Sequence, residues 1–155
     1  MPDGAAPMRG RTHVTHTRVR FGDTDAAGIV FYPTFYVWFD VGTTGLLRAA
    51  VGGAPLLEPD GTMRWPIPIV DSGARFSSPL YFDDPIAIRS TIIALGRSSM
   101  RIEHVVLRGT VEVAHGFEAR VLIRHDAGKL VPAPFPQELR DALADAAAFS
   151  EEKLA

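Results

Sequence analysis

The sequence predicts an α+β domain in which one long apolar helix lies against a curved antiparallel sheet. Three observations carry this. Residues 15–21 alternate along a strand, residues 33–51 form an apolar run with a helix start and stop, and four strand-like runs joined by short turns follow. Strands clustered after a helix and linked by tight turns build an antiparallel layer rather than a doubly wound parallel sheet.

Taken in order, residues 1–12 (MPDGAAPMRGRT) read as a flexible leader with little to bury, and residues 13–155 as a single domain. From Thr15, Thr17, Val19 and Phe21 point one way and His16, Arg18 and Arg20 the other, the signature of a half-buried strand. Gly22 ends it, and Asp23-Thr24-Asp25-Ala26-Ala27-Gly28 follows as a turn-rich segment with two short acids and a flexible glycine. Pro33 supplies the φ favoured at the first helical position, and Gly52-Gly53 ends a helix of roughly 28 Å. Phe35, Tyr36, Val37, Trp38, Phe39, Val41, Leu46 and Leu47 leave that helix almost no polar face, so it is expected to be surrounded by protein. Gly42 and Gly45 inside it are explained by close approach of a neighbouring backbone.

Beyond a Pro/Gly-rich loop, residues 67–76, 86–95, 100–107 and 110–125 read as strands, separated by turns at Asp83-Asp84-Pro85 and Gly96-Arg97-Ser98-Ser99. The last of them alternates Val111, Val113, His115, Phe117, Ala119, Val121 and Ile123 against Glu112, Glu118, Arg120 and Arg124, which predicts one long strand with the charged side solvated. Asp126-Ala127-Gly128-Lys129 is a further turn, and residues 136–148 a surface helix.

Composition narrows function by exclusion. Sixteen Lys and Arg against 18 Asp and Glu leave a net charge of −2, with no basic run to attract nucleic acid. The absence of Cys removes thiol nucleophiles, Fe–S clusters and thiolate zinc sites. No apolar stretch reaches the ~18 residues of a membrane span and no secretory h-region is seen, so neither a membrane nor export is expected and a cytoplasmic location is. Gly-x-Ser-x-Gly, the Walker loop, Gly-x-Gly-x-x-Gly and His-Glu-x-x-His are all missing.

Carboxylates, histidines and a helix end remain. His13 and His16 alternate on a strand, are poorly placed as a metal pair, and read as exposed polar residues; His104 and His115 fall among apolar positions and read as core or interface histidines. No metal site and no cofactor are expected. Asp23 and Asp25 precede the helix, whose N-terminal N–H groups favour negative charge; a plain turn role accounts for them equally well. Asp40 sits amid the apolar helix with Tyr36 and Thr44 one turn away on either side. It is expected to be buried and to need a partner, either a structural hydrogen bond or a polar group of a ligand.

The unbroken stretch from Arg20 to Asp40, RFGDTDAAGIVFYPTFYVWFD, resembles the signature of hot-dog-fold acyl-CoA thioesterases, most closely the bacterial 4-hydroxybenzoyl-CoA thioesterase type. The similarity spans roughly residues 14–128 and is generic in its later part. It implies a long helix wrapped by an antiparallel sheet and hydrolysis of an acyl-CoA thioester, with an aromatic acyl group favoured. A broad short- to medium-chain acyl-CoA hydrolase and a non-catalytic acyl-CoA or aromatic-ligand binding module are the alternatives, and retention of Asp25 counts against the last. By the resemblance Asp25 is the catalytic carboxylate, the backbone N–H of Tyr32 the oxyanion donor, and Asp23 and Gly28 supporting residues. Asp40, Tyr36 and Trp38 would meet the acyl group, and Arg89, Arg97, Arg120 and Arg124 are candidates for the CoA phosphates. The family also implies self-association, as a homodimer or a dimer of dimers, with the site at a two-fold interface.

Overall fold

The computed structural model describes residues 5–154. Among them the elements run β1 (Thr12–Arg18), a single 3-10 turn (Phe21–Asp23), α1 (Pro33–Ala50), β2 (Ile69–Phe76), β3 (Pro85–Leu95), β4 (Ser99–Arg108), β5 (Val111–Val121), β6 (Ile123–Asp126), β7 (Lys129–Pro132), α2 (Gln137–Ala144) and β8 (Phe149–Lys153). Six strands form one sheet in the order β2-β5-β4-β3-β1-β8, and β6 and β7 pair separately. α1 packs along one face of the six-stranded sheet, as the apolar run and the later strands predict. Among the described residues no helix is long and apolar enough to cross a membrane.

Several expectations are corrected. β8 is not anticipated, because its sequence Phe149-Ser-Glu-Glu-Lys153 is polar; it pairs parallel to β1 and makes the sheet mixed. The terminal helix stops at Ala144 rather than running to 148, since the Asp145 carboxylate accepts the Ala147 N–H at 3.0 Å and turns the chain. The strand expected over residues 110–125 divides after Val121: Leu122 enters the core, and β6 and β7 form a hairpin whose turn holds Ala127 and Gly128 at positive φ. Of the leader, residues 1–4 lie outside the described residues. The rest is anchored: Met8 and Gly10 donate to the carbonyls of Ile93 and Ile92, and Arg11 to that of Leu143.

The largest correction concerns which side of β5 faces inward. A bulge opposite Val106 and Leu107 shifts its register, so Val113 and Ala114 both reach the core and the alternation reverses beyond them. Gly116, Glu118 and Arg120 then face α1, while His115 and Phe117 face the opposite side. There His115 contacts Glu103 and Glu112, and Arg101 lies over the Phe117 ring. Gly116 is required at its position because a Cβ would meet the Phe39 ring.

The core lies between α1 and the sheet in two apolar clusters. One gathers Phe35, Trp38, Phe39, Leu80, Ile88 and Val106 around the first half of α1; the other gathers Leu46, Leu47, Ile92, Ile102, Leu139 and Leu143 around the second half. Ser90 and His104, on the inward side of β3 and β4, separate them. Gly42 and Gly45 do admit close neighbours, but these are side chains rather than backbone: Ser90 beside Gly42, and His13 with Glu152 beside Gly45.

Candidate active site

The segment between β1 and α1 is held from both ends. Asp23 is buried; its carboxylate accepts the Arg20 N–H at 2.7 Å and its carbonyl the Phe31 N–H at 2.9 Å. Val30 donates to the Leu80 carbonyl, which ties the loop to the chain leaving β2. Asp23 therefore supports the loop through structure. Asp25 is exposed, at the head of a turn in which its Oδ1 accepts the Ala27 N–H at 2.8 Å and its carbonyl the Gly28 N–H at 3.0 Å. Gly28 has φ +78°, a conformation a side chain would disfavour, so the turn that presents Asp25 depends on it.

α1 starts at Pro33, which has no N–H, with Tyr32 as its N-cap. Among the described residues the Tyr32 N–H donates to no backbone acceptor, whereas the N–H groups of Thr34 and Phe35 turn back to Phe31 and Tyr32. An uncommitted donor at the positive end of a helix suits a developing oxyanion. Beside it opens a cleft of about 380 Å³ lined by Ile29, Val30, Tyr32, Phe35, Phe76 and Leu80 among others.

The helix is not covered all round. Phe35, Trp38, Phe39 and Gly42 are buried, whereas Val37 and Asp40 are exposed and Tyr36 and Thr44 half-buried. Trp38, expected to meet the acyl group, is 4 % exposed and packs edge-to-face on Phe35, so it belongs to the core. Tyr36 stands at the border, its ring against Phe39. The Asp40 side chain, expected to be buried, is 60 % exposed and pairs with Arg120 at 2.6 Å. Thr44 binds its backbone carbonyl, not its carboxylate.

Behind Asp40 lies a polar network that the sequence reading missed. Arg120 grips Glu118 with Nε to Oε2 at 3.0 Å and Nη2 to Oε1 at 3.1 Å, and its Nη1 donates to the Ile67 carbonyl at 3.1 Å. Glu118 also accepts the Thr43 hydroxyl at 2.6 Å and faces His104 Nε2 at 3.4 Å, while Ser90 Oγ lies 2.9 Å from His104 Nδ1. Phe39 stacks on the imidazole. Arg120, expected at the CoA phosphates, is thus buried and committed to two carboxylates. The visible signal was the small pair Ala114 and Gly116 on the same side of the strand as Glu118 and Arg120, which marks a side that something packs against.

The other arginines are dispersed. Arg89 projects from the sheet face opposite α1, half-buried, with an Nε that has no hydrogen-bond partner among the described residues. Arg97 and Arg124 are exposed at the far end of β3, about 30 Å along that strand from the Asp25 loop. His104 is a satisfied core histidine, as expected. His13, expected to be exposed, is buried beside Gly45 of α1 with Nδ1 2.8 Å from Ser150 Oγ, and His115, expected in the core or at an interface, is exposed on this chain.

The network makes stability depend on pH. Burial pushes the His104 imidazole below its ordinary value of 6.5, so it is neutral in the fold, despite the opposing pull of Glu118. Burial alone would raise Glu118, but hydrogen bonds from His104 and Arg120 outweigh it and hold the carboxyl at about 2, against 4.5 in the unfolded chain. In both cases the unfolded chain binds more protons as pH falls, so acid destabilises. Urea midpoints are expected to decline below about pH 6.5 and more steeply between 4.5 and 2, with Glu118 contributing on the order of 3 kcal/mol. A midpoint unchanged from neutral pH to below 4 would contradict this.

Residues 19–143 match the thioesterase-like superfamily. A 1,4-dihydroxy-2-naphthoyl-CoA hydrolase of Synechococcus sp. (strain WH7803) is 32% identical over 111 residues, 68% of this chain and 72% of that protein. A 4-hydroxybenzoyl-CoA thioesterase of Pseudomonas sp. (strain CBS-3) is 30% identical over 136 residues, 81% of this chain and 95% of the other. Among solved structures, a gentisyl-coenzyme A thioesterase superposes with TM-score 0.72 at 36% identity, covering 85% of this chain and 99% of its own. A 4-hydroxybenzoyl-CoA thioesterase variant in complex with 4-hydroxybenzoyl-CoA gives 0.76 at 27% identity, with 86% and 99% covered.

Proposed function

The chain belongs to the thioesterase-like superfamily and is a hot-dog-fold acyl-CoA thioester hydrolase, and from that premise we propose that it cleaves aromatic acyl-CoA esters, of the hydroxybenzoyl- or benzoyl-CoA type, to the free acid and CoA. The observation that carries the aromatic reading is Asp40. Its carboxylate stands open to solvent beyond Tyr36 on the side of α1 that the sheet leaves bare, eight residues and about 12 Å of helix from Tyr32. Helical side chains lean toward the N-terminus, which brings Asp40 nearer to the helix start. A carboxylate there can accept a hydrogen bond from a ring hydroxyl. The similar proteins above act, by their names, on dihydroxynaphthoyl, hydroxybenzoyl and gentisyl esters, which supports the same preference here.

Asp25 is the catalytic carboxylate of this reading. A thioester carbonyl is already electrophilic, so hydrolysis asks for a positioned carboxylate and a site for the oxyanion. Asp25 supplies the first, by attacking the carbonyl or by deprotonating the water that does. The Tyr32 N–H supplies the second, where losing one such donor commonly costs roughly 2.7–4 kcal/mol of barrier. A second copy of the chain completes the site. The bare side of α1 and the exposed Ile69, Val70 and Phe76 of the edge strand β2 are surfaces that such a partner would cover.

A thiol-release assay over a panel of CoA esters tests the proposal. The expected order of kcat/KM is 4-hydroxybenzoyl-CoA, then benzoyl-CoA, then hexanoyl- and butyryl-CoA. Equal or faster turnover of the aliphatic esters would transfer the assignment to a broad short- to medium-chain hydrolase, and release from none of them would leave a binding module.

A further inference from the structure

We propose that Arg120, seated by Glu118, is the positioning residue that fixes Asp40 for selection of a ring hydroxyl, so that acyl-group specificity is set from inside the core. The inference rests on the reading of Asp40 as the residue that meets the acyl group.

The geometry is that of a clamp. The Arg120 side chain is 11 % exposed, and every nitrogen of its guanidinium is engaged: Nε and Nη2 on Glu118, Nη1 on the Ile67 carbonyl, Nη2 also on Asp40 Oδ1 at 2.6 Å. Glu118, 1 % exposed, is held in turn by Thr43 of α1 and faced by His104 of β4. The guanidinium therefore has little freedom to follow a substrate. Asp40 is tethered through Oδ1 to a fixed group, while among the described residues its other oxygen receives no hydrogen bond and the side chain is 60 % exposed.

Three chemical consequences follow. An unpaired Asp on a helix surface would sample several rotamers, whereas a tethered one presents a single acceptor in one place. That acceptor suits a hydrogen-bond donor on the ring, and it repels a carboxylate and gives nothing to an ether oxygen. Lysine cannot replace the arginine, because one ammonium has no planar fork with which to hold Glu118 by two bonds and Asp40 by a third.

The experiment compares kcat/KM for 4-hydroxybenzoyl-CoA and benzoyl-CoA in the parent, Arg120→Lys, Asp40→Asn and the double variant. The selectivity ratio is expected to fall about tenfold in Arg120→Lys and at least as far in Asp40→Asn, with no further fall in the double variant. Equal losses on both esters in Arg120→Lys would make Arg120 merely structural and overturn the proposal. So would a further fall in ratio when it is added to Asp40→Asn. If Asp40→Asn lowers the ratio and Arg120→Lys does not, only the positioning role fails; if Asp40→Asn leaves the ratio unchanged, the reading of Asp40 fails first.

The parent protein provides an arm that needs no variant. Its kcat/KM is expected to be at least tenfold higher for the 4-hydroxy ester than for the 4-methoxy- and 4-carboxybenzoyl esters. Comparable turnover of the 4-carboxy ester would mean that the guanidinium, not Asp40, faces the ring, and would overturn the proposal even if Arg120→Lys failed to fold.

Discussion

Replacement of Asp25 by Asn is expected to lower kcat for thioester hydrolysis by about 10²- to 10⁴-fold, the range typical of removing a positioned acid–base group. The fold should be untouched. Asp25 is exposed, and its tertiary role is confined to a local turn in which an Asn side chain can still accept the Ala27 N–H. The loss should therefore appear with an unchanged melting temperature and with KM shifted far less than kcat, since the amide keeps the size of the carboxylate but can neither attack the carbonyl nor take a proton from water. Turnover within a few-fold of the parent would transfer the catalytic assignment elsewhere. A loss accompanied by a large fall in melting temperature would make Asp25 a structural residue of the loop.

The second large effect concerns stability. Glu118→Ala is expected to destabilise the protein by about 3 kcal/mol, because it leaves the buried Arg120 guanidinium with only the exposed Asp40 carboxylate and the Ile67 carbonyl as partners and removes the acceptor of the Thr43 hydroxyl. For a domain of this size that is a fall of roughly 10 °C in melting temperature. Glu118→Gln, which keeps the volume and one acceptor, should lose less. Equal stability of parent and Glu118→Ala would mean that the network contributes nothing to holding α1 on β4 and β5. Because Glu118 touches neither Asp25 nor Tyr32, the fraction of Glu118→Ala that remains folded should keep turnover of benzoyl-CoA that Asp25→Asn lacks, while its preference for the 4-hydroxy ester falls as Arg120 loses its seat.

The two residues differ in how far the sequence discloses them. The turn that carries Asp25 was legible because most of what shapes it is local: a strand end, a Gly28 able to adopt positive φ, and a helix opened by Pro33. The same holds for α1 and for most strand boundaries, which follow from side-chain period and turn residues. Glu118 was misread for a reason equally physical. Period alone says which residues of a strand share a side, not which side is inner, and the bulge between β4 and β5 reversed the phase. β8 was missed because its composition is polar and its pairing is decided by β1, more than 130 residues away.

By itself, then, the sequence determined an α+β chain with a long apolar helix, an acid-bearing loop before it, and the resemblance that pointed to thioester hydrolysis, since all of these depend on neighbours within a few residues. Only the tertiary structure decided that Trp38 and Arg120 lie inside and that Asp40 and Val37 lie outside. The same is true of Asp40, whose partner is an arginine 80 residues away. Which charges can be buried depends on partners from distant strands, and no local pattern of hydrophobicity encodes those pairings.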